Sequence, residues 1–327
     1  MKLDFPLFPD SASTLAPQLD AVYFFALLVS FVFTIGIAVV VLYLAIRYRR
    51  TANNQIGKRD KAGIWLEITW SVIPLAIMMF MFVWGAKVFF RAQRPPANAV
   101  EYYVTGKQWM WKFQHPEGLR EINTLHVPVG VPIKLTMTSE DVIHSFFVPD
   151  FRGKMDVLPG RYTTYWFEAT KPGTFRLFCA EYCGGEHSLM GGSIIVMEKR
   201  DYEAWLTERS GEGGAQGLSG EELFAAKTCN TCHRTDSNLQ APYLQGIFGH
   251  EVVMADGSSV VVDENYLRES ILEPAAKLVE GYQPLMPAYA GQLSEEELLQ
   301  LIIYIKSLSE DQGTTETSEA AGSEAAS

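Results

Sequence analysis

The chain has 327 residues, 48% of them hydrophobic, with 27 Lys/Arg against 38 Asp/Glu and a formal charge of −11. That length predicts two or three domains rather than one, and the acidic balance argues against nucleic acid as a partner. All four Cys fall in two short motifs, which leaves none for a structural disulfide.

Residues 1–20 read as an extracytoplasmic N-terminal segment, and 21–92 as a transmembrane hairpin with helices at about 21–47 and 64–90. Residues 21–46 form 26 successive positions without a charge, and 68–86 form a second uncharged run of 19 that contains Pro74. Both suit a bilayer, where a proline is tolerated inside a helix. Between them RYRRTANNQIGKRDK holds six Lys/Arg against one Asp. This bias places the loop in the cytoplasm and both termini outside. The first run is too long for a signal-peptide core and lacks a basic leader, so it reads as retained.

From 97 to 200 the pattern changes to short β-type runs: EYYVTG, VPIKLTMT, TTYWFEA, GTFRLFCA and GGSIIVME, separated by Pro and Gly. Regular short strands of this kind predict an all-β sandwich or barrel. The last two runs flank CAEYCGGEHSLM, residues 179–190, which gathers Cys179, Cys183, His187 and Met190. Its glycines predict a folded loop. Soft sulfur with imidazole selects copper over magnesium or calcium. Two neighbouring Cys can bridge a pair of ions, each of which then needs its own His. His144, in DVIHSFFVP after a strand and among apolar residues, is the best second donor; His115 and His126 lie in weaker settings.

Residues 201–218 read as a short amphipathic helix and a flexible Gly-rich linker. The segment 219–308 reads as a mostly helical module with capping boxes at Ser219 and Ser294. It carries 13 Asp/Glu against 5 Lys/Arg, a charge that either recruits a basic redox partner or simply solvates a face. Cys229, Cys232 and His233 form C-x-x-C-H, the attachment motif of covalent c-type haem. A zinc site would need further ligands, and no Cys follows Cys232. His233 is then the proximal ligand, and Met286, in GYQPLMPAY, is the distal one, as in class I cytochromes c. Met254 and His250 are the rival distal positions. Residues 309–327 read as a disordered acidic tail.

With these residues in place, the chain resembles subunit two of the haem–copper cytochrome c oxidases, whose cupredoxin domain carries the dinuclear CuA centre. The family loop C-x-E-x-C-x-x-x-H-x-x-M is matched at Cys179, Glu181, Cys183, His187 and Met190, with His144 upstream. The resemblance implies that both Cys bridge the coppers and that each His ligates one. It makes Met190 and the Glu181 carbonyl weak axial ligands, and turns the Glu181 side chain toward a magnesium ion at the contact with subunit one. GKQWMW, residues 106–111, resembles an aromatic segment whose first Trp receives electrons, here Trp109; Met110 stands where the family has Tyr. KMDVLPGR, residues 154–161, resembles a segment that packs toward subunit one. LEITW, residues 66–70, resembles a helix start whose Glu lies at the mouth of a proton path; by position alone, Glu67 is an interfacial acid. This likeness covers roughly residues 15 to 205.

A cytochrome c joined to the C-terminal side resembles the caa3-type oxidases. That implies electrons passing from an external donor to haem c, to CuA and on to haem a in subunit one, where oxygen is reduced to water. Neither expected membrane helix contains a His, so the oxygen-reducing site lies on another chain. The expected setting is the bacterial cytoplasmic membrane, with both termini and the redox modules on the periplasmic side. The expected partners are subunit one, other oxidase subunits and a cytochrome or copper protein as donor. The alternative is a membrane-tethered copper and haem carrier, or a copper-delivery protein, outside any oxidase.

Overall fold

The computed structural model describes residues 8–50, 63–211, 219–233 and 241–322. The expectations that fall on 1–7, on the basic loop at 51–62, on the linker at 212–218 and on 323–327 lie outside these residues.

The two uncharged runs wind as α1 (Ala16–Arg47) and α2 (Ile64–Gln93). Each extends past the expected bounds; α1 opens five residues early, because Pro17 fits the first turn of a helix. At about 1.5 Å per residue, their 32 and 30 residues exceed the roughly 30 Å hydrocarbon core of a bilayer. Both are long and apolar enough to cross a membrane. They meet through Phe25, Phe80 and Trp84, whose ring centroids lie 5.6 to 5.7 Å apart.

The middle of the chain is a sandwich of ten strands: β1 (Val100–Lys107), β2 (Met110–Gln114), β3 (Arg120–Ile122), β4 (Thr124–Pro128), β5 (Pro132–Ser139), β6 (His144–Val148), β7 (Gly153–Val157), β8 (Thr163–Glu168), β9 (Gly173–Cys179) and β10 (Gly191–Met197). The sheets run β3-β2-β1-β5-β8 and β4-β10-β9-β6-β7. Trp111, Phe113, Leu135, Phe146 and Leu177 fill the space between them, all at most 2% exposed, and each such side chain contributes about 1.5–3 kcal/mol by leaving water.

The sandwich is fastened directly to the start of α1 and the end of α2. The Arg152 guanidinium donates to both carboxylate oxygens of Asp20, at 2.8 and 3.1 Å. Ala12 and Thr14 donate their amides to the Asp150 and Glu168 carbonyls, each at 3.0 Å. Trp166 Nε1–H donates to the Arg91 carbonyl at 3.1 Å. After β10, α3 (Lys199–Gly211) lies against β4.

The C-terminal module is built from α4 (Gly220–Ala226), a hairpin of β11 (Glu251–Val253) and β12 (Ser259–Val261), α5 (Glu264–Leu272) and α6 (Glu295–Gly322). Ser219 and Glu222 form a reciprocal capping box on α4. Ser294 and Glu297 do the same at α6, at 2.9 and 3.2 Å. The hairpin is the non-helical part of this mostly helical module, and Asp256-Gly257 makes its turn, where Gly257 takes φ +84°. α6 also continues through residues assigned to a disordered tail.

Candidate metal and haem sites

β9 ends at Cys179 and β10 opens at Gly191, so the predicted ligand loop joins two adjacent antiparallel strands. The Cys179 amide donates to the Met190 carbonyl at 3.0 Å, which closes the loop at its base. Within it the two thiol sulfurs lie 3.8 Å apart. His187 Nδ1 is 3.5 Å and Met190 Sδ is 3.6 Å from Cys183 Sγ. The Glu181 carbonyl accepts from Cys179 Sγ at 3.2 Å. β6 pairs with β9 so that Phe146 faces Cys179, and His144, two residues earlier on the same face, arrives with Nδ1 at 4.0 Å from Cys179 Sγ. Among the described residues, His144, Cys179 and Cys183 form the cluster of metal-type donors within 4.8 Å of one another.

Most of the donors are shielded from water: His144 is 0%, Met190 2% and Cys183 3% exposed, while His187 is half-buried. Burial opposes a charge on Cys179, but its contacts with the His144 ring and with nearby backbone outweigh it and draw this thiol below its ordinary value. Cys183 is pushed up by burial and then by the negative charge of Cys179. One thiolate forms readily, and the second needs a cation. Two sulfurs, two imidazoles and a thioether form a soft set that fits copper.

Two residues beyond the sequence-derived ligands shape this site. Asp141 Oδ1 accepts from His144 Nε2–H at 2.9 Å, which leaves the Nδ1 lone pair on the sulfur side. Gln108 Nε2–H and Trp109 Nε1–H both donate to the Cys183 carbonyl, at 2.8 and 3.2 Å, and Trp109 is thereby set against the loop. Trp111 is instead a core residue, 0% exposed and edge-on to His144 at 5.9 Å. Both were hinted at in sequence, Asp141 by standing three residues before His144 and Gln108 by preceding Trp109.

His115 and His126 do not reach the loop. They bracket Glu121 at 2.7 and 2.6 Å, beneath Tyr202 and Trp205 of α3. The Glu181 side chain is exposed at the outer edge of the loop, and Glu67 is exposed in the first turn of α2.

In the C-terminal module Cys229, Cys232, His233 and Met286 line one cavity of about 360 Å³, together with apolar residues such as Phe224 and Leu267. The His233 Nδ1–H donates to the Pro242 carbonyl at 2.9 Å, which makes Nε2 the lone-pair nitrogen. Burial lowers the affinity of this imidazole for a proton and keeps it neutral. Neither rival distal residue lines the cavity: Met254 is 3% exposed in the module core, and His250 donates to the Phe248 carbonyl at 3.3 Å. An apolar slot, a paired thiol turn and an oriented imidazole fit a covalently held haem.

Sequence profiles agree with this layout. Cytochrome C oxidase subunit II, transmembrane domain, matches residues 2–88. Cytochrome C oxidase subunit II, periplasmic domain, matches 117–199, and Cytochrome c matches 218–309. Cytochrome c oxidase subunit 2 of Alkalihalophilus pseudofirmus is 33% identical over 284 residues, covering 83% of this chain and 81% of its own. An alternative cytochrome c oxidase subunit 2 of Bradyrhizobium diazoefficiens is 31% identical over 221 residues, covering 57% and 78%. The crystal structure of the periplasmic domain of subunit II of cytochrome oxidase of Bradyrhizobium japonicum shares 31% identity, covers 36% of this chain and 99% of that one, and superposes with a TM-score of 0.35.

Proposed function

This chain belongs to the cytochrome c oxidase subunit II family and carries a cytochrome c domain after the copper-type domain, and on that premise we propose that it takes electrons from an external donor at a c-type haem and delivers them, through a dinuclear copper centre, to the oxygen-reducing subunit. The observation that carries the copper reading is the pairing of donors, His144 beside Cys179 and His187 beside Cys183, across two sulfurs 3.8 Å apart. When bound, the copper pair and the haem supply one-electron redox chemistry.

The residues divide the remaining work. Cys179, Cys183, His144 and His187 would hold the copper ions, with Met190 and the Glu181 carbonyl as weaker donors. A loop pinned at both ends by β9 and β10 keeps these donors in place whichever charge the centre carries, so little rearrangement opposes transfer. Trp109, hydrogen-bonded to the Cys183 carbonyl, is placed to pass electrons into the centre. In the C-terminal module, Cys229 and Cys232 would attach the haem, and His233 and Met286 would hold its iron.

The exposed Glu181 carboxylate would be a magnesium ligand at the contact with subunit one, and Glu67, exposed in the first turn of α2, would lie at the mouth of a proton path. The basic loop between α1 and α2 is cytoplasmic, and the redox modules stand on the periplasmic face of a bacterial inner membrane.

The test is an optical and paramagnetic-resonance spectrum of the purified chain and of Cys183→Ser. The native chain is expected to show a sharp c-type α-band together with a mixed-valence two-copper signal. Cys183→Ser is expected to lose the copper signal and oxidase turnover while keeping the haem band. Normal turnover in that variant would sink the copper reading.

A further inference from the structure

The outer face of the β3-β2-β1-β5-β8 sheet is covered by the cytochrome module. Strand register sets Glu101 beside Lys134 and Tyr103 beside Gln114, so these side chains stand on one face. Over them Lys306, on α6, places its ammonium 2.6 Å from Glu101 Oε2 and 2.7 Å from Glu264 Oε1. Lys134 reaches the same two carboxylates at 2.9 and 3.4 Å. Two cations and two carboxylates, contributed equally by the two modules, thus neutralise one another in the joint.

This is not a surface ion pair. Lys306 is 9% exposed, and its ammonium lies 4.8 Å over the Phe248 ring. Tyr103 and Tyr162 of the sandwich are buried within the apolar core of the cytochrome module. Gln300 Nε2–H donates to Gln114 Oε1 at 2.7 Å, and the Tyr162 amide to Asn265 Oδ1 at 2.7 Å. The rim pair, Lys112 with Glu296 at 2.6 Å, is the more open one, with the Glu296 side chain 41% exposed.

We propose that Lys306 is the positioning residue that holds the cytochrome module as one fixed body on this sheet face, so that the separation of haem and copper is set by the fold rather than by a search of a tethered module. The proposal rests on the electron-carrying role given above. A module held by exposed ion pairs is released by salt, whereas a buried, neutralised joint surrounded by tyrosines is screened far less. Without Lys306, Glu101 and Glu264 share the single cation Lys134, and breaking a buried pair in this way is strongly destabilising.

The rim pair reports docking. In the full-length chain in detergent, a carbodiimide is expected to join Lys112 to Glu296 as an amide found by peptide mapping. The yield is expected to hold at about 1 M salt, where the screening length is only about 3 Å. Lys306→Met is expected to lower that yield by roughly tenfold or more, with the haem spectrum unchanged. Coupling that is lost from the native chain in high salt overturns the proposal, as does native yield in Lys306→Met. The salt arm needs no variant and so does not depend on the variant folding. Because the readout is proximity, a chain that couples as expected yet moves no electron from haem to copper refutes the functional reading and leaves the dock standing.

Discussion

Asp141 fixes His144: its Oδ1 accepts the His144 Nε2–H at 2.9 Å, while its Oδ2 accepts the Gln108 amide at 2.8 Å. One carboxylate therefore ties the tip of the β1–β2 hairpin, where Trp109 sits, to a ligand on the opposite sheet. It also selects the tautomer with the Nδ1 lone pair toward Cys179. Such outer partners govern metal affinity by roughly 10–100-fold. Asp141→Ala is expected to weaken copper binding by about that factor, measured by competition with a chelator of known affinity, with the fold intact by circular dichroism. Unchanged affinity would show that β6 alone orients the imidazole.

Gly184 marks a second constraint on the same contact. Its φ is +118°, and a Cβ there would lie 2.9 Å from Gln108 Nε2 and 3.3 Å from the Trp109 ring. Gly184→Ala therefore strains the backbone and pushes away both donors to the Cys183 carbonyl. We expect a loss of about 1–3 kcal/mol in stability, read as a lowered unfolding midpoint, and a changed Trp fluorescence. A variant as stable as the native chain would mean that the loop moves without cost.

The metal loop and the haem motif were legible because each is a local spacing: four ligands within residues 179–190, and C-x-x-C-H at 229–233. Strands β1, β5, β8, β9 and β10 were also visible as runs of β-formers. Strands β3 and β7 were missed; they are short, and their exposed positions hide the alternation. The pairing that docks the two modules is not local, since Glu101 and Lys306 are 205 positions apart. One trace of it does exist. EYYVTG is apolar on both faces of β1, Tyr102 and Val104 toward the sandwich core and Tyr103 toward the cytochrome module. This strand serves two cores.

Met286 lies in the haem cavity between Pro284 and Pro287. A thioether ligand raises the potential of a His-ligated haem, so Met286→Leu is expected to lower the haem midpoint in a potentiometric titration. Covalent attachment is expected to survive, because Cys229, Cys232 and His233 are untouched. An unchanged midpoint would remove Met286 from the iron and return Met254 and His250 to consideration.

Acid is expected to undo the dock before it unfolds the sandwich core. Burial works against a charge on Glu101, but Lys306 and Lys134 outweigh it and hold this carboxyl at about 2, against an ordinary value of 4.5. Glu264, facing the same two cations, is lowered as well, chiefly by Lys306 and Lys134 acting against burial. A carboxyl depressed in the folded state stabilises it fully above its ordinary value, and that stabilisation is lost as pH falls through the folded value. At about 1.4 kcal/mol per unit, the Glu101 displacement is worth at most about 3.5 kcal/mol at neutral pH, and the loss falls between roughly pH 4.5 and 2. The carbodiimide yield itself depends on pH, so the readout is thermal unfolding of the full chain followed at the haem band. The native midpoint is expected to fall across that window. Glu101→Gln starts lower at neutral pH and falls less, because the residue that titrates is gone. Parallel curves for the two chains would assign the acid sensitivity to other carboxylates, with Glu121, held at about 2 between His115 and His126, the first to examine.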